Sequence, residues 1–223
     1  MTDTTTYVLL IRHGENDWVG TNRLAGRTPG VHLNDKGRSQ AAQLAALLQN
    51  QPIRAIYSSP LERCMETARP LGHQLGVPVQ PEAGILEVDY GAWQGGALKE
   101  LSAKPEWQMV QHYPSQYRFP EGETLHEAQT RAVAAINRLA ADHSGAAIAL
   151  FSHGDIIRTS LAHYLGVPLD LFQRIAVHTA SISAIGFFNG RPIVLAINHL
   201  AEIPVFASRL VAPQDETEET GGS

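Results

Sequence analysis

The chain has 223 residues, enough for one sizeable α/β domain. Its 17 basic and 22 acidic side chains give a net charge of −5, of which the four acidic residues of 215–219 supply −4, so the charge balance excludes a basic nucleic-acid footprint. No apolar run approaches the roughly 18 residues that cross a membrane, and the polar residues 1–6 lack the pattern of a signal peptide.

The first predicted strand covers residues 7–11 and runs into the sequence Arg12-His13-Gly14-Glu15. Gly14 lets the backbone turn sharply, so Arg12 and His13 are expected to project into the crevice beyond the strand. A lone histidine after a strand is more often a surface or capping residue. A reactive His13 therefore needs support from elsewhere in the chain.

Short apolar strands alternate with amphipathic helices along the rest of the sequence. Asn34 is expected to cap a helix of about 34–48, and Ser59 to cap a second one with Pro60 in its first turn. Pro70 is expected to bend or end that second helix near Arg69. Further helices are predicted at about 124–141 and 155–165, and further strands at 55–57, 147–151, 181–188 and 193–197. This order predicts a three-layer α/β/α sandwich with a mostly parallel central sheet.

The chain contains a single cysteine, Cys64, which excludes an internal disulfide and suits a reducing compartment. We therefore expect a cytoplasmic protein. Cys64 follows Arg63 on a predicted helix, and we interpret it as a packing residue rather than a nucleophile.

Two segments are interpreted from composition alone. Residues 98–120 are rich in aromatic side chains and prolines, which fits either a lid or wall above a site or a packed surface insertion. Residues 213–223 are acidic and end in glycine, and they are predicted to form a disordered tail after a domain of residues 1–212.

A second strand near the C-terminal half repeats the pattern of the first one. The apolar run 147–151 is followed by Ser152-His153-Gly154. Because the carboxyl ends of neighbouring parallel strands face the same crevice, His13 and His153 are expected to converge on one ligand.

Six ordered segments together resemble the histidine phosphatase superfamily, in its phosphoglycerate-mutase-like branch. They are Arg12-His13-Gly14-Glu15, residues 33–41, residues 58–68, residues 86–95, residues 120–124 and Ser152-His153-Gly154.

The resemblance implies that His13 attacks phosphorus and becomes a phosphohistidine. Arg12 and Arg63 would clamp the phosphoryl oxygens, which suits the planar, permanently charged guanidinium. His153 would donate a hydrogen bond to a phosphoryl oxygen, and it precedes a predicted helix whose N-terminal dipole favours an anion.

The leaving alkoxide needs a proton, and the resemblance assigns this general acid to Glu87. Asp89 lies close enough to be a rival, but Glu87 follows an apolar triplet where desolvation can keep a carboxyl group protonated. Asp155 is interpreted as a residue of a first helical turn that the helix dipole stabilises.

One position departs from the family pattern. Relatives often carry a phosphate-binding asparagine where this chain has Val19. Asn22, Arg23 and Arg27 are candidates to supply the missing contact, with a solvated loop residue as the alternative for each. His178 is a further candidate to approach the crevice, but we interpret it as a histidine with its hydrogen bonds satisfied at a strand start.

A metal site is the alternative function for some of the ten histidines. Neither a His-x-x-Glu-His spacing nor a Cys-x-x-Cys pair occurs, and arginines accompany both candidate histidines. The sequence therefore predicts a site without metal or cofactor.

These features predict a metal-independent phosphomonoesterase that acts on small phosphorylated metabolites through phospho-His13. A 2,3-bisphosphoglycerate-dependent phosphoglycerate mutase and a catalytically silent phospho-ligand or partner-binding relative are the alternatives. Residues 98–120 carry only three cations, Lys99, Lys104 and Arg118, which favours hydrolysis over the mutase. The oligomeric state is left open, with a homo-oligomer among the alternatives.

Overall fold

A single mixed sheet forms the centre of the protein. The computed structural model describes residues 5–19, 21 and 23–200. The strand order across the sheet is β3-β2-β4-β1-β5-β6. β1 to β4 run parallel to one another, β5 is antiparallel to β1, and β6 is antiparallel to β5. The strands are β1 Thr5–Arg12, β2 Ile53–Ser58, β3 Val79–Pro81, β4 Ala147–Ser152, β5 Ile182–Phe188 and β6 Arg191–His199.

Helices cover both faces of this sheet. Those on one face are α1 and α2, and those on the other include α5 and α6. In β1, Ile11 packs toward α1 and α2, whereas Val8 and Leu10 pack toward α5 and α6. The predicted three-layer α/β/α fold is therefore confirmed. The helices are α1 Asp35–Leu48, α2 Glu62–Leu75, α3 Leu98–Leu101, α4 Trp107–His112, α5 Leu125–Asp142 and α6 Gly154–Leu165.

The predicted start of α1 is confirmed, because the side chain of Asn34 accepts a hydrogen bond from the backbone N–H of Gly37. Gly37 also allows the first turn of α1 to touch the loop after β1. A Cβ at Gly37 would lie 1.9 Å from the carbonyl oxygen of Glu15, and one at Gly14 would lie 2.7 Å from that of Gly37. These two glycines hold α1 against the residues that follow His13.

Two predictions for α2 differ from the structure. The helix begins at Glu62 with Leu61 as its N-cap, two residues after Ser59, whose hydroxyl lies 2.8 Å from Nε2 of His153 and 3.5 Å from the backbone N of Leu61. Of the two outcomes expected at Pro70, an end of the helix is wrong, because α2 continues to Leu75. Proline removes one helical hydrogen bond, at a cost of about 3 kcal/mol, and the buried side chains on either side of it offset that cost.

The segment 98–120 packs onto the domain as a layer of short helices and aromatic rings. Trp93 stacks on Trp107 at 6.2 Å and meets Phe119 edge-on at 5.5 Å. Of this segment, Leu98 alone lines the candidate site described below. The packed-insertion interpretation therefore describes most of the segment, and Leu98 contributes part of the wall.

Within the described ranges, no helix has the length and apolar character needed to span a bilayer. The predicted acidic tail, 213–223, lies outside the described residues. The boundary at residue 212 stays a prediction.

Candidate active site

The two strand-His-Gly elements meet at one edge of the sheet. β1 and β4 are neighbouring parallel strands with Arg12 opposite Ser152, and the backbone N–H of His13 donates to the carbonyl of Ser152 at 3.0 Å. The rings of His13 and His153 lie 5.4 Å apart, centroid to centroid. The structure thus brings together two histidines that are 140 residues apart in sequence.

A cavity of about 330 Å³ opens beside His13. Five of the predicted or candidate site residues line it, namely Arg12, His13, Arg23, Arg63 and Glu87. Glu87 belongs to the acid loop (84–89), and the rest of the wall comes from the loop after β1, Tyr90, Leu98 and the first turns of α6. These lining residues are Asn16, Trp18, Val19, Leu24, Ala25, Gly26, Tyr90, Leu98, Gly154, Asp155 and Arg158.

The hydrogen bonding of His13 fixes its tautomer. Nδ1 lies 2.7 Å from the carbonyl oxygen of Gly14, and a carbonyl can only accept, so the proton sits on Nδ1. Burial lowers the pKa of His13 well below its usual value, and the charges of Arg63 and Arg12 lower it further. His13 is therefore a neutral imidazole whose Nε2 keeps a free lone pair.

Arg12 and Arg63 present unused donors at this cavity. Arg12 donates from Nη1 to the carbonyl of Val177 at 2.7 Å, and Arg63 donates from Nη2 to that of Gly26 at 2.8 Å. Nε of Arg12 and both Nε and Nη1 of Arg63 are buried without a partner. Among the described residues neither guanidinium is paired with a carboxylate. Such an uncompensated pair of cations is suited to an anion.

Arg12 is packed flat against the start of α6. A Cβ at Gly154 would lie 3.3 Å from Cζ of Arg12, a tight contact that glycine avoids without any shift of the guanidinium. The N-terminus of α6, a helix of 12 residues, therefore adds its dipole at the same place.

His153 lies behind Arg63 and does not line the cavity. Its Nδ1 is 3.0 Å from Nη2 of Arg63, which can only donate, so Nδ1 accepts and Nε2 carries the proton toward the hydroxyl of Ser59. Burial, followed by the charge of Arg63, lowers the pKa of His153 well below its usual value. In this arrangement His153 orients Arg63, which differs from the expected donor to a phosphoryl oxygen.

Glu87 is 9% exposed and points one carboxylate oxygen toward the backbone N–H of Val88 at 3.0 Å. Burial and then the charge of Asp155 raise the pKa of Glu87 to about 7, against the opposing effect of Arg63. Its Oε2 is 3.9 Å from Nδ1 of His153, which is neutral because its pKa is lowered, so this contact is not an ion pair.

The rival acid, Asp89, is engaged elsewhere. Its Oδ1 accepts from the backbone N–H of Gly91 at 3.0 Å, its Oδ2 lies 3.4 Å from Arg27, and it does not line the cavity. The geometry therefore favours Glu87 over Asp89 as a group that reaches a ligand.

The four remaining candidates have different surroundings. Asn22 lies outside the described residues. Arg23 lines the cavity and stacks over Trp18 at 5.1 Å. His178 does not line it and binds Asn198 through Nδ1 and through its backbone N–H, as expected for a satisfied histidine.

Arg27 is not positioned to bind phosphate, and this expectation is corrected. Its Nε donates to the carbonyl of Glu87 at 2.8 Å, Nη2 pairs with Glu123 at 3.0 Å and Nη1 lies 3.4 Å from Asp89. Two of the three nitrogens thus bind the acid loop and the third binds Glu123, and Arg27 does not line the cavity.

Arg131 completes this support and was missed from the sequence. It donates from Nη1 to the carbonyls of Gly84 (2.9 Å) and Leu86 (2.8 Å), and from Nη2 to that of Glu87 (3.0 Å). It also pairs with Glu123 at 2.6 Å. Nothing in the local sequence of α5 signals the contacts with the acid loop, because the three carbonyl partners lie more than 40 residues away.

We expect Arg131→Lys to lower the free energy of unfolding by about 2–3 kcal/mol, because one ammonium cannot serve three carbonyls and a carboxylate. Arg138→Lys on the same helix is the matched control, since Arg138 is 52% exposed and pairs with Glu82 at the surface. That control should change the free energy by less than about 0.5 kcal/mol. Urea unfolding of both variants measures the difference, and equal losses would contradict a supporting role for Arg131.

Within the part of the chain that the structure describes, no group of three or more His, Cys, Asp or Glu side chains is arranged to hold a metal ion.

Three further residues of the cavity wall, Tyr90, Asp155 and Arg158, were not proposed as site residues. Asp155 accepts from the hydroxyl of Tyr90 at 2.6 Å and from Nη1 of Arg158 at 2.8 Å. The i,i+3 spacing of Asp155 and Arg158 in the first turns of a helix is the signal that could have revealed their pairing.

Comparison with known proteins gives consistent matches. Phosphoserine phosphatase 1 of Hydrogenobacter thermophilus is 30% identical over 209 residues, which cover 92% of this chain and 99% of that protein. An acid phosphatase of Mycobacterium tuberculosis is 34% identical (82% and 87% covered), and a protein of Cronobacter sakazakii named "Probable phosphoglycerate mutase GpmB" is 31% identical (81% and 84% covered).

Among solved structures, Bacillus stearothermophilus YhfR superimposes with a TM-score of 0.81 at 26% identity, covering 88% of this chain and 98% of its own. The sequence model of the histidine phosphatase superfamily (branch 1) matches residues 8–200. The chain therefore belongs to the histidine phosphatase superfamily, branch 1.

Proposed function

We propose that this protein hydrolyses small phosphate monoesters through a phosphohistidine formed on His13, without a metal ion. The observation that carries the proposal is the free Nε2 of a neutral His13 beside two guanidinium groups with unpartnered donors. The relatives named phosphoserine phosphatase 1 and acid phosphatase support the same class of reaction.

Substrate binding would begin with the phosphate group. The unpartnered donors of Arg12 and Arg63 converge on the cavity, and an incoming dianion would supply the acceptors that they lack. The buried setting strengthens these charge-assisted hydrogen bonds, and the N-terminus of α6 adds to them. Both arginines would also neutralise charge on the equatorial oxygens in the transition state.

The first chemical step would be an in-line attack by Nε2 of His13. An N–P bond forms, the P–O bond to the leaving group breaks, and Glu87 passes its proton to the departing oxygen. With a pKa of about 7, Glu87 is protonated in a substantial fraction of molecules near neutral pH. His13 needs no proton removed before it attacks, because burial keeps it neutral.

The second step would return the enzyme to its starting state. A water molecule gives a proton to the Glu87 carboxylate and attacks phosphorus, the N–P bond breaks, and inorganic phosphate leaves. His153 would take part indirectly, because its Nδ1 accepts from Arg63 and so holds the guanidinium that grips the phosphoryl group.

The ligand would be a small molecule, since the cavity measures about 330 Å³. We also propose a cytoplasmic location, because Cys64 is free and buried in the fold.

A phosphoglycerate mutase is the second candidate, favoured by relatives that carry that name. Such an enzyme must hold a second anionic group next to the phosphate. Beyond Arg12 and Arg63, the cations that line the cavity are Arg23 and Arg158. Arg158 already pairs with Asp155 at 2.8 Å, so among the described residues Arg23, which lies over a tryptophan ring, is the single unpaired cation left for a second anionic group, and hydrolysis is preferred.

A direct comparison of the two activities tests the proposal. We expect steady phosphate release from several monoesters, and little interconversion of 3- and 2-phosphoglycerate even with 2,3-bisphosphoglycerate present. The measurement is the mutase kcat/KM against the best hydrolytic kcat/KM on one preparation. A mutase value higher by orders of magnitude would refute the hydrolase assignment, and no turnover of any monoester would favour a silent, ligand-binding relative.

A further inference from the structure

Asn16 is a polar side chain of the cavity wall to which no role has been given above. It follows Glu15 in the loop after β1, it is only 1% exposed, and its backbone bridges to Leu33. It lines the same cavity as Arg12 and His13.

The orientation of the Asn16 amide is fixed by its neighbours. The backbone N–H groups of Trp18 and Val19 both donate to its Oδ1 at 3.0 Å. Because two donors require an acceptor, the opposite end of the amide must be the NH₂ group. These two bonds hold the side chain in one orientation before any ligand arrives.

The NH₂ group has no hydrogen-bond partner among the residues that the structure describes. Since the residue borders the cavity, that donor is available to a ligand there.

Val19, three residues further on, makes this donor significant. The family resemblance implies a phosphate-binding asparagine at the position of Val19, which here lines the cavity with an apolar side chain that can donate nothing. The cavity wall therefore lacks an amide at Val19 and has an amide with an unpaired NH₂ group at Asn16.

We propose that Nδ2 of Asn16 donates a hydrogen bond to the phosphoryl group on which His13 acts, in place of the amide absent at Val19. This inference rests on the proposed function, because it assigns Asn16 to the same phosphate site. The fixed Oδ1 makes Asn16 a rigid donor, so little reorganisation is needed when phosphate binds.

Three variants separate this role from a purely structural one. Asn16→Asp keeps an acceptor for the N–H groups of Trp18 and Val19 but replaces the donor with a negative charge. Asn16→Ser keeps a shorter acceptor for the same turn and removes the amide. The double variant Asn16→Ser with Val19→Asn moves an amide to the other point of the wall.

Binding of inorganic phosphate by isothermal titration calorimetry is the readout, at constant ionic strength. We expect the Kd to rise about tenfold in Asn16→Ser and about a hundredfold in Asn16→Asp, in line with hydrogen bonds to charged groups. The double variant should return to within about threefold of the wild-type Kd. Thermal unfolding of each variant monitors the fold.

Unchanged phosphate affinity in Asn16→Ser and Asn16→Asp would overturn the inference, and so would a double variant no tighter than Asn16→Ser. Wild-type protein that fails to bind phosphate would overturn it too. Turnover of p-nitrophenyl phosphate by the wild type is measured separately. Wild-type protein that binds phosphate through Asn16 without hydrolysing the ester refutes the proposed hydrolase and leaves the binding role supported.

Discussion

His13→Ala is expected to lose at least about 10⁴-fold in kcat on every phosphate monoester, because removing a nucleophile abolishes the covalent route. The thiol of Cys64 is not placed to replace it. Cys64 does not line the cavity, and burial raises the pKa of its thiol to about 12, so the reactive thiolate is absent. The variant should remain folded, since the loss of its bond to Gly14 affects one carbonyl.

The covalent intermediate provides a second readout of the same change. Rapid quenching of the wild type during turnover should trap a phosphoenzyme that is labile in acid and stable in base, as a phosphoramidate is. His13→Ala should give none. His163→Ala is the control, because His163 is an exposed histidine near the end of α6. An acid-stable phosphoenzyme, or full activity in His13→Ala, would assign the nucleophile elsewhere.

The fold and the meeting of the two histidines could be predicted from local patterns. Residues 7–11 and 147–151 are apolar runs of strand length, each followed by a histidine and a glycine, and parallel neighbours place such residues at one edge. Asn34 also behaves as its sequence indicates, because a capping bond is made within three residues.

Features that depend on distant partners were not predictable in the same way. Ser59 looks like a helix cap, but a histidine 94 residues away engages its hydroxyl. Arg27 is a loop arginine near the phosphate motif, but Asp89 and Glu123 take up its guanidinium. In both cases local propensity was overridden by a tertiary contact that the sequence pattern does not encode.

The same limit explains the change in the interpretation of His153. Its place after β4 could be read from the sequence, whereas its hydrogen bonds could not. Arg63 comes from α2 and is held by the carbonyl of Gly26, and this geometry makes Nδ1 of His153 an acceptor. The chemical role of a histidine depends on which nitrogen carries the proton, and only the three-dimensional partners decide that.

Glu87→Gln should slow alkyl phosphates about 10²–10³-fold and p-nitrophenyl phosphate less than about tenfold, since a phenolate leaves without a proton. Glutamine keeps the size of the side chain and an acceptor for the N–H of Val88. Asp89→Asn is the matched control, because it preserves the acceptor for Gly91, and its effect on either substrate should be small. Equal losses on both substrates would assign Glu87 to binding rather than to acid catalysis.

The pH dependence of Glu87 gives an independent check on the same role. Its pKa of about 7 means that wild-type activity on alkyl phosphates should fall above neutral pH, as the acid loses its proton, and Glu87→Gln should lack this decrease.

The free energy of unfolding should also depend on the protonation of Glu87. Folding raises the pKa of Glu87 above its usual 4.5. The contribution of Glu87 to the free energy of unfolding is therefore full at low pH and is lost as the pH rises through about 7. The Tm of Glu87→Gln relative to wild type should therefore rise from pH 5 to pH 8, and a difference that stays constant would show that Glu87 is ionised in the folded protein throughout.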